Sequence, residues 1–203
     1  MKHHLLNNGD DCCIIVERGD ALIVTRELPG FFANLGFLID IEGQSATLEG
    51  ISFCQTSPVY DGNRWVMVRN PRTAVSKDVT ILKNWSEKEY RCYLTQLGLC
   101  GSAVYGNMPV WSSFYRCLSR AGDGWTFSKG LVDHVSGAIL DTGLGRLANG
   151  VEVSGPITWQ SRASFGAAFG MAPDIQRHWE AYFDAMAPGG REFTDRPAVS
   201  LHL

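Results

Sequence analysis

The chain has 203 residues, 45% of them hydrophobic, 11% aromatic and 19% charged, which is enough apolar material to bury one full core and too much for a disordered tail. A formal charge of −3 excludes a histone-like basic protein but conceals a division, since residues 1–61 carry 3 basic and 9 acidic side chains, 62–120 carry 9 and 3, and 121–203 carry 6 and 9. A basic middle third beside an acidic first third leaves open a polyanion-binding surface next to an acidic site.

The first element predicted is a tight β-hairpin, with Leu5-Leu6 and Cys12 to Val16 as its apolar arms and Asn7-Asn8-Gly9-Asp10-Asp11 as its tip. Residues 28–37 suit a short helix ending near Gly36, and Ala46 to Phe53 reads as a strand. A second hairpin is expected from Ile51 to Gln55, a connection containing Asp61-Gly62, and Trp65 to Val68.

After Pro71 the periodicity becomes helical. Ser86 and Glu89 stand at capping-box spacing, followed by Tyr90, Tyr93, Leu94 and Leu97 on one face. Pro109 opens a helix with Val110, Trp111, Phe114, Tyr115 and Leu118 inward, and Pro173 opens another with Ile175, Trp179, Tyr182, Phe183 and Met186 inward. Trp85, Trp111, Trp159 and Trp179 are read as core. Residues 141–156, rich in glycine, are expected to form a flexible loop, and a frayed tail is expected from about residue 187. Six cysteines at 12, 13, 54, 92, 100 and 117 show no CxxC and no disulfide framework, which points to a reducing compartment. The first residues hold no signal-peptide core and no run of ~18 apolar residues occurs, so a soluble cytosolic chain is expected.

Adjacent carboxylates repel unless a cation neutralises them, so Asp10 and Asp11 at a hairpin tip carry a metal-site argument. Two hard oxygen ligands suit Mg²⁺, and a pair of such ions supports nucleotidyl transfer. Taken alone, the pentapeptide reads better as turn chemistry on a solvated loop, since turn residues are common and metal sites are not.

Further along lie ISFCQTSPVYDG, MVRNP, QLGLCGSAVYGNMPVWSSFYRCL and SRASFGAAFGMAPDIQ. With NNGDDCCIIVE, and in this order, these segments closely resemble the C-terminal part of the RNA-dependent RNA polymerases of tombusvirus-like viruses, across nearly the whole chain. The resemblance implies an α+β fold: the remnant of an antiparallel palm sheet, made of two hairpins over residues 1–70, followed by a mostly helical thumb of a right-hand polymerase over 71–203. It implies that Asp10 and Asp11 are catalytic ligands to two Mg²⁺ ions, with Mn²⁺ as a substitute. Phe53, Cys54 and Gln55 become the primer grip, and Arg69 and Arg72 candidates for priming-nucleotide phosphates. Lys83, Lys88, Arg91, Arg116 and Arg120 become candidates for the RNA backbone. The implied partners are RNA template and product, nucleoside triphosphates, and the upstream fingers and palm. The implied setting is a replication complex of the host cytoplasm, attached to membrane through regions outside this chain.

Two departures stand out. LGFLIDIEG carries Asp40 where such polymerases often show a basic general acid, and Arg26 is not an obvious substitute. Met1 lies eight residues before Gly9, so the fingers and the first metal-binding aspartate are not here, and the chain is expected to be a fragment inactive by itself. The competing reading is a non-catalytic RNA-binding thumb module or replication accessory protein.

Overall fold

Gly9, at φ +70, opens the two-residue connection Gly9-Asp10 between strands β1 (His3–Asn8) and β2 (Asp11–Val16). Positive φ at the first central position matches the twist of an antiparallel pair and is free of strain only for glycine. The register pairs Asn8 with Asp11 and His3 with Val16. The computed structural model describes residues 2–122, 125–149, 153 and 155–186. Among these the strands form two separate two-stranded antiparallel sheets, and helices fill most of the remainder.

Helix α1 (Ala21–Asn34) corrects the expected 28–37 helix: it begins seven residues earlier and runs through Pro29. Proline there resembles a start signal, yet the segment before it continues the helix. Gly36, at φ +85, lies two residues beyond the helix end. The strand expected over Ala46 to Phe53 is absent. No neighbouring strand offers it a ladder, and a short 3₁₀ turn, Leu48–Gly50, stands there instead.

The second hairpin exists, but its first arm is shifted. It consists of β3 (Thr56–Tyr60) and β4 (Trp65–Arg69), joined through Asp61-Gly62. Cys54 and Gln55 adopt φ +51 and +59, so the chain turns there, and Phe53 and Thr56 exchange backbone hydrogen bonds at 2.9 and 3.0 Å. Nothing in the side chains of Phe53-Cys54-Gln55 announces a left-handed turn. Asp61 fastens the other end by accepting from the N–H groups of Asn63 at 2.7 Å and Arg64 at 2.9 Å.

Both edges of this ribbon are covered. On β3, the Tyr60 N–H donates to Ser164 Oγ at 2.9 Å on α7 (Trp159–Phe169), and Pro58, with the same strand parity, sits where its missing N–H costs no ladder bond. On β4, the Met67 carbonyl accepts from Tyr105 Oη at 3.2 Å and the Arg69 carbonyl from Trp111 Nε1 at 3.0 Å. These aromatic donors belong to α3 (Glu87–Tyr105) and α4 (Trp111–Arg120), here numbered after α2 (Pro71–Val79). Two more tyrosines of α3 satisfy carbonyls at the end of α2, which a helix leaves without partners of its own. Tyr90 Oη donates to Val79 O at 2.6 Å and Tyr93 Oη to Asp78 O at 3.0 Å.

The helix starts expected at Ser86 and Pro173 hold, whereas α4 begins at Trp111, two residues beyond the expected Pro109. Ser86 and Glu89 form the reciprocal capping box, and Tyr93, Leu94 and Leu97 are buried. On α4, Val110, Trp111, Phe114, Tyr115 and Leu118 all point inward. The core centres on the α3–α4 seam, where Trp111 stacks on Tyr115 at 5.2 Å, and Gly98 admits the α4 backbone so closely that an added Cβ would lie 2.6 Å from the Tyr115 carbonyl. Helix α5 (Lys129–Asp141) and α6 (Leu144–Leu147) pack on α3. The latter corrects the flexible-loop expectation for 141–156 in part, because Leu144 is buried in the core. Residues 150–152 and 154 and the expected tail from 187 lie outside the described residues.

Helix α8 (Pro173–Ala185) brings two more corrections, since Ile175 and Tyr182, expected inward, are exposed. Gln176, Glu180 and Phe183 take the inward stripe. Gln176 donates to the carbonyls of Arg162 and Met171, and Glu180 holds Arg162 in a fork at 2.8 and 2.9 Å while accepting from the Val110 N–H. Polar side chains thus win the buried positions by satisfying backbone groups that leucines could not. Trp159, also read as core, is 74% exposed at the first turn of α7. No helix among the described residues is long and apolar enough to cross a membrane.

Candidate functional site

The hairpin turn presents Asp10 and Asp11 to solvent. The Asn7 side-chain amide braces the tip by donating to the Gly9 carbonyl at 3.3 Å and to Cys12 Sγ. Asn8 reaches in another direction, its Nδ2 donating to Cys54 Sγ at 3.2 Å. That contact brings the acidic tip beside the Phe53–Thr56 turn, two groups that the sequence separates by more than forty residues.

Next to the turn lies a cleft of about 390 Å³ whose polar wall includes Ser52, Gln55, Ser57, Asn70, Thr73 and Lys77. Lys77 Nζ donates to Gln55 Oε1 at 3.0 Å, which puts a cation of α2 over the turn. Sequence reasoning missed Lys77. The only available signal was its place within the helix that begins at Pro71, too weak without the fold. Arg72 is exposed on the same helix and donates to the Gly170 carbonyl at 3.4 Å. Asn70 caps that helix, its Oδ1 accepting from the Arg72 N–H at 3.0 Å.

Arg69 stands differently from its sequence reading. Its Nη1 is bonded at 2.5 Å to Oδ1 of Asp78, a residue only 1% exposed, and Asp78 Oδ2 accepts from Tyr115 Oη at 2.7 Å. Burial raises the Asp78 carboxyl above its ordinary value, and Arg69 and the Tyr115 hydroxyl only partly offset this. Burial also lifts Tyr115 well above the usual phenol range and Tyr93 and Tyr105 to about 12, so these hydroxyls stay protonated donors. Asp61 goes the other way. Its burial raises the carboxyl, but the N–H groups of Arg64 and Asn63 and the Asn107 amide outweigh this and hold it below the ordinary value.

The basic residues of the helices fall into two kinds. Lys88 is exposed on the first turn of α3, and Lys83 lies 5.7 Å from the Trp85 ring centre. Arg91 is occupied by Glu87 at 2.8 Å and by the Trp125 ring at 5.4 Å, Arg116 faces Asp184 at 3.4 Å, and Arg120 donates to the Phe183 carbonyl at 3.1 Å. Three of the five candidates are therefore engaged in holding helices together.

Asp10 and Asp11 are two hard oxygen donors on an open turn, chemically suited to a divalent cation. Among the described residues no group of three or more His, Cys, Asp or Glu side chains gathers to complete such a site.

A family model described as viral RNA dependent RNA polymerase matches residues 1–189. Among curated proteins, the chain is 38% identical over 186 residues to an RNA-directed RNA polymerase of Melon necrotic spot virus, covering 91% of this chain and 23% of that protein. It is 39% identical over 191 residues to that of Turnip crinkle virus, covering 91% and 24%, and 36% identical over 188 residues to that of Groundnut rosette virus, covering 92% and 22%. The chain spans about a quarter of the length of these relatives. No solved structure matches it.

Proposed function

The chain belongs to the family of viral RNA-dependent RNA polymerases, and from that premise we propose that it supplies the C-terminal palm and the thumb of such an enzyme, working on an RNA template with nucleoside triphosphates. Residues 1–70 act as the palm part and the helices from Pro71 onward as the thumb. The observation that carries this reading is the Asn8–Cys54 contact, which sets the acidic hairpin tip against the Phe53–Thr56 turn. A polymerase needs this juxtaposition: carboxylates that hold metal, beside a backbone element that holds the end of the growing strand or the first nucleotide.

In that arrangement Asp10 and Asp11 would hold the divalent ions, Mg²⁺ by the hardness of the donors, together with carboxylates from the rest of the polymerase. Held there, such ions would supply Lewis-acid chemistry, easing deprotonation of the attacking oxygen and offsetting charge on the departing pyrophosphate. The side chains of this segment position. Gln55 and Lys77 face the cleft beside the turn, Lys77 offering a point charge to phosphate, and Arg72 is exposed on the same helix. Lys83 and Lys88 furnish sequence-independent contacts to the RNA backbone. The setting we assign is the replication complex of an infected host cell.

In a complete polymerase carrying this segment, Asp10→Ala should reduce nucleotide incorporation by ~10³-fold or more while RNA binding stays near wild type, because it removes a metal ligand and no backbone contact. Asp11→Asn should be milder and should favour Mn²⁺, which tolerates weaker oxygen ligation. Incorporation near the wild-type rate by Asp10→Ala would overturn the assignment and favour a non-catalytic RNA-binding module.

A further inference from the structure

The sequence reading makes Arg69 a direct ligand for nucleotide phosphates, but its guanidinium already has a buried partner. Asp78 is 1% exposed and cannot itself touch a nucleotide. Its carboxylate is held from two sides, by Arg69 Nη1 at the end of β4 and by Tyr115 Oη in the middle of α4. The neighbouring residue on α2 is Lys77, which points the opposite way and reaches Gln55 on the left-handed turn at 3.0 Å. One turn of α2 thus has an inward anchor and an outward cation. The carbonyls that follow are fixed too, Asp78 O by Tyr93 and Val79 O by Tyr90. Rotation of α2 about its own axis would break the Asp78 bonds and withdraw Lys77 from the turn at once.

From this geometry we infer that Asp78, backed by Tyr115, is a positioning residue for the cleft beside the Phe53–Thr56 turn: it fixes Arg69 and α2 so that Lys77 and Gln55 are held where an initiating nucleotide binds. Arg69 then acts through Asp78 and not on phosphate. The inference rests on the reading that this cleft takes the initiating nucleotide.

The test uses a complete polymerase carrying this segment, with unprimed synthesis measured against the concentration of initiating nucleotide and elongation measured separately from a preformed primer. Asp78→Asn keeps the side-chain shape and removes the charge. It should raise the KM for the initiating nucleotide about tenfold while kcat and primed elongation stay within about twofold, the pattern of lost positioning before chemistry. Tyr115→Phe, which leaves both charges in place, should move the same KM a few-fold in the same direction and keeps the question open to measurement if Asp78→Asn does not fold. The double variant Arg69→Gln with Asp78→Asn should have a KM no higher than the worse single variant, because both substitutions break one strut. Multiplying effects would show that Arg69 contacts the nucleotide independently and would overturn the inference. So would an unchanged KM in Tyr115→Phe, or an equal loss in initiation and elongation, which would mark a purely structural pair. An active Asp10→Ala enzyme would instead overturn the polymerase reading itself, so the two failures are told apart.

Discussion

Asp61 illustrates how a single buried carboxylate can be structural in a protein whose other acidic residues invite a catalytic reading. Its Oδ1 takes the two N–H groups that close the β3–β4 connection, and its Oδ2 takes the Asn107 amide at 3.2 Å. These donors hold the folded-state carboxyl below its ordinary value, so the stabilisation it gives is present above the unfolded value and is lost as pH falls through the depressed folded one. Asp61→Asn should therefore lower the thermal midpoint near neutrality, and the gap to wild type should close as the pH is taken below about 4, measured by thermal melts across the acid range. Asp78, whose carboxyl is raised, has the opposite sign, and comparison of each variant with wild type at the same pH separates the two. Asp10 and Asp11 differ from both in being exposed, without buried partners. A carboxylate that the fold neither buries nor satisfies is free to take a ligand.

At the scale of elements, the seam between α3 and α4 depends on what is missing from it. An added Cβ at Gly98 would lie 2.6 Å from the Tyr115 carbonyl and 2.8 Å from the Leu118 carbonyl carbon, both backbone atoms that cannot step aside. Alanine in a helix interior gains about 0.5–1 kcal/mol over glycine, but overpacking costs about 1–3 kcal/mol, so Gly98→Ala should be net destabilising in chemical denaturation. Gly137 on α5 meets nothing within 4 Å, and Gly137→Ala should stabilise by the propensity difference alone. The helix starts at Ser86 and Pro173, the first hairpin and the inward face of α4 were legible in the sequence because local chemistry writes them: a capping pair, a proline, a glycine flanked by apolar arms. The left-handed turn at Cys54-Gln55 was not, since its cause is the shift of β3 and the cover that α7 gives it, contacts made across about a hundred residues. The inward Gln176 and Glu180 were equally hidden, because hydropathy places polar residues outside and only the folded backbone shows the groups they satisfy. Of the site, the acidic tip could be read from residue types, whereas Lys77 and the pairing of Arg69 with Asp78 required three-dimensional neighbours.

For the molecule as a whole, the basic middle third is less free than its charge count implies. Arg64, Arg69, Arg91, Arg116 and Arg120 each meet a carboxylate or a carbonyl of the chain itself, so the polyanion-facing charge we propose narrows to Lys83 and Lys88, with Lys77 beside the turn and Arg72 exposed on the same helix. The consequence is measurable in the salt dependence of RNA binding. Lys88→Gln should reduce the slope of log affinity against log salt by about one unit, whereas Arg91→Gln should leave it nearly unchanged and lower stability instead. Equal changes in slope would mean that Arg91 leaves Glu87 to reach RNA. The cover over β3 has a further consequence in time. The ribbon is finished at Arg69, but the groups that close its outer edge, Thr158 Oγ1 on the Asp61 carbonyl at 2.9 Å and Ser164 Oγ on the Tyr60 N–H, come roughly ninety residues later. At ~5–20 residues per second, a ribosome takes about 5–20 s to supply them. During that interval the nascent chain carries an open strand edge, the kind of surface on which other chains pair. Chains arrested before Thr158 should be cleaved by protease between residues 56 and 69, and chains extended through Ala185 should resist, so a chain cut short in this region should aggregate and not merely be shorter.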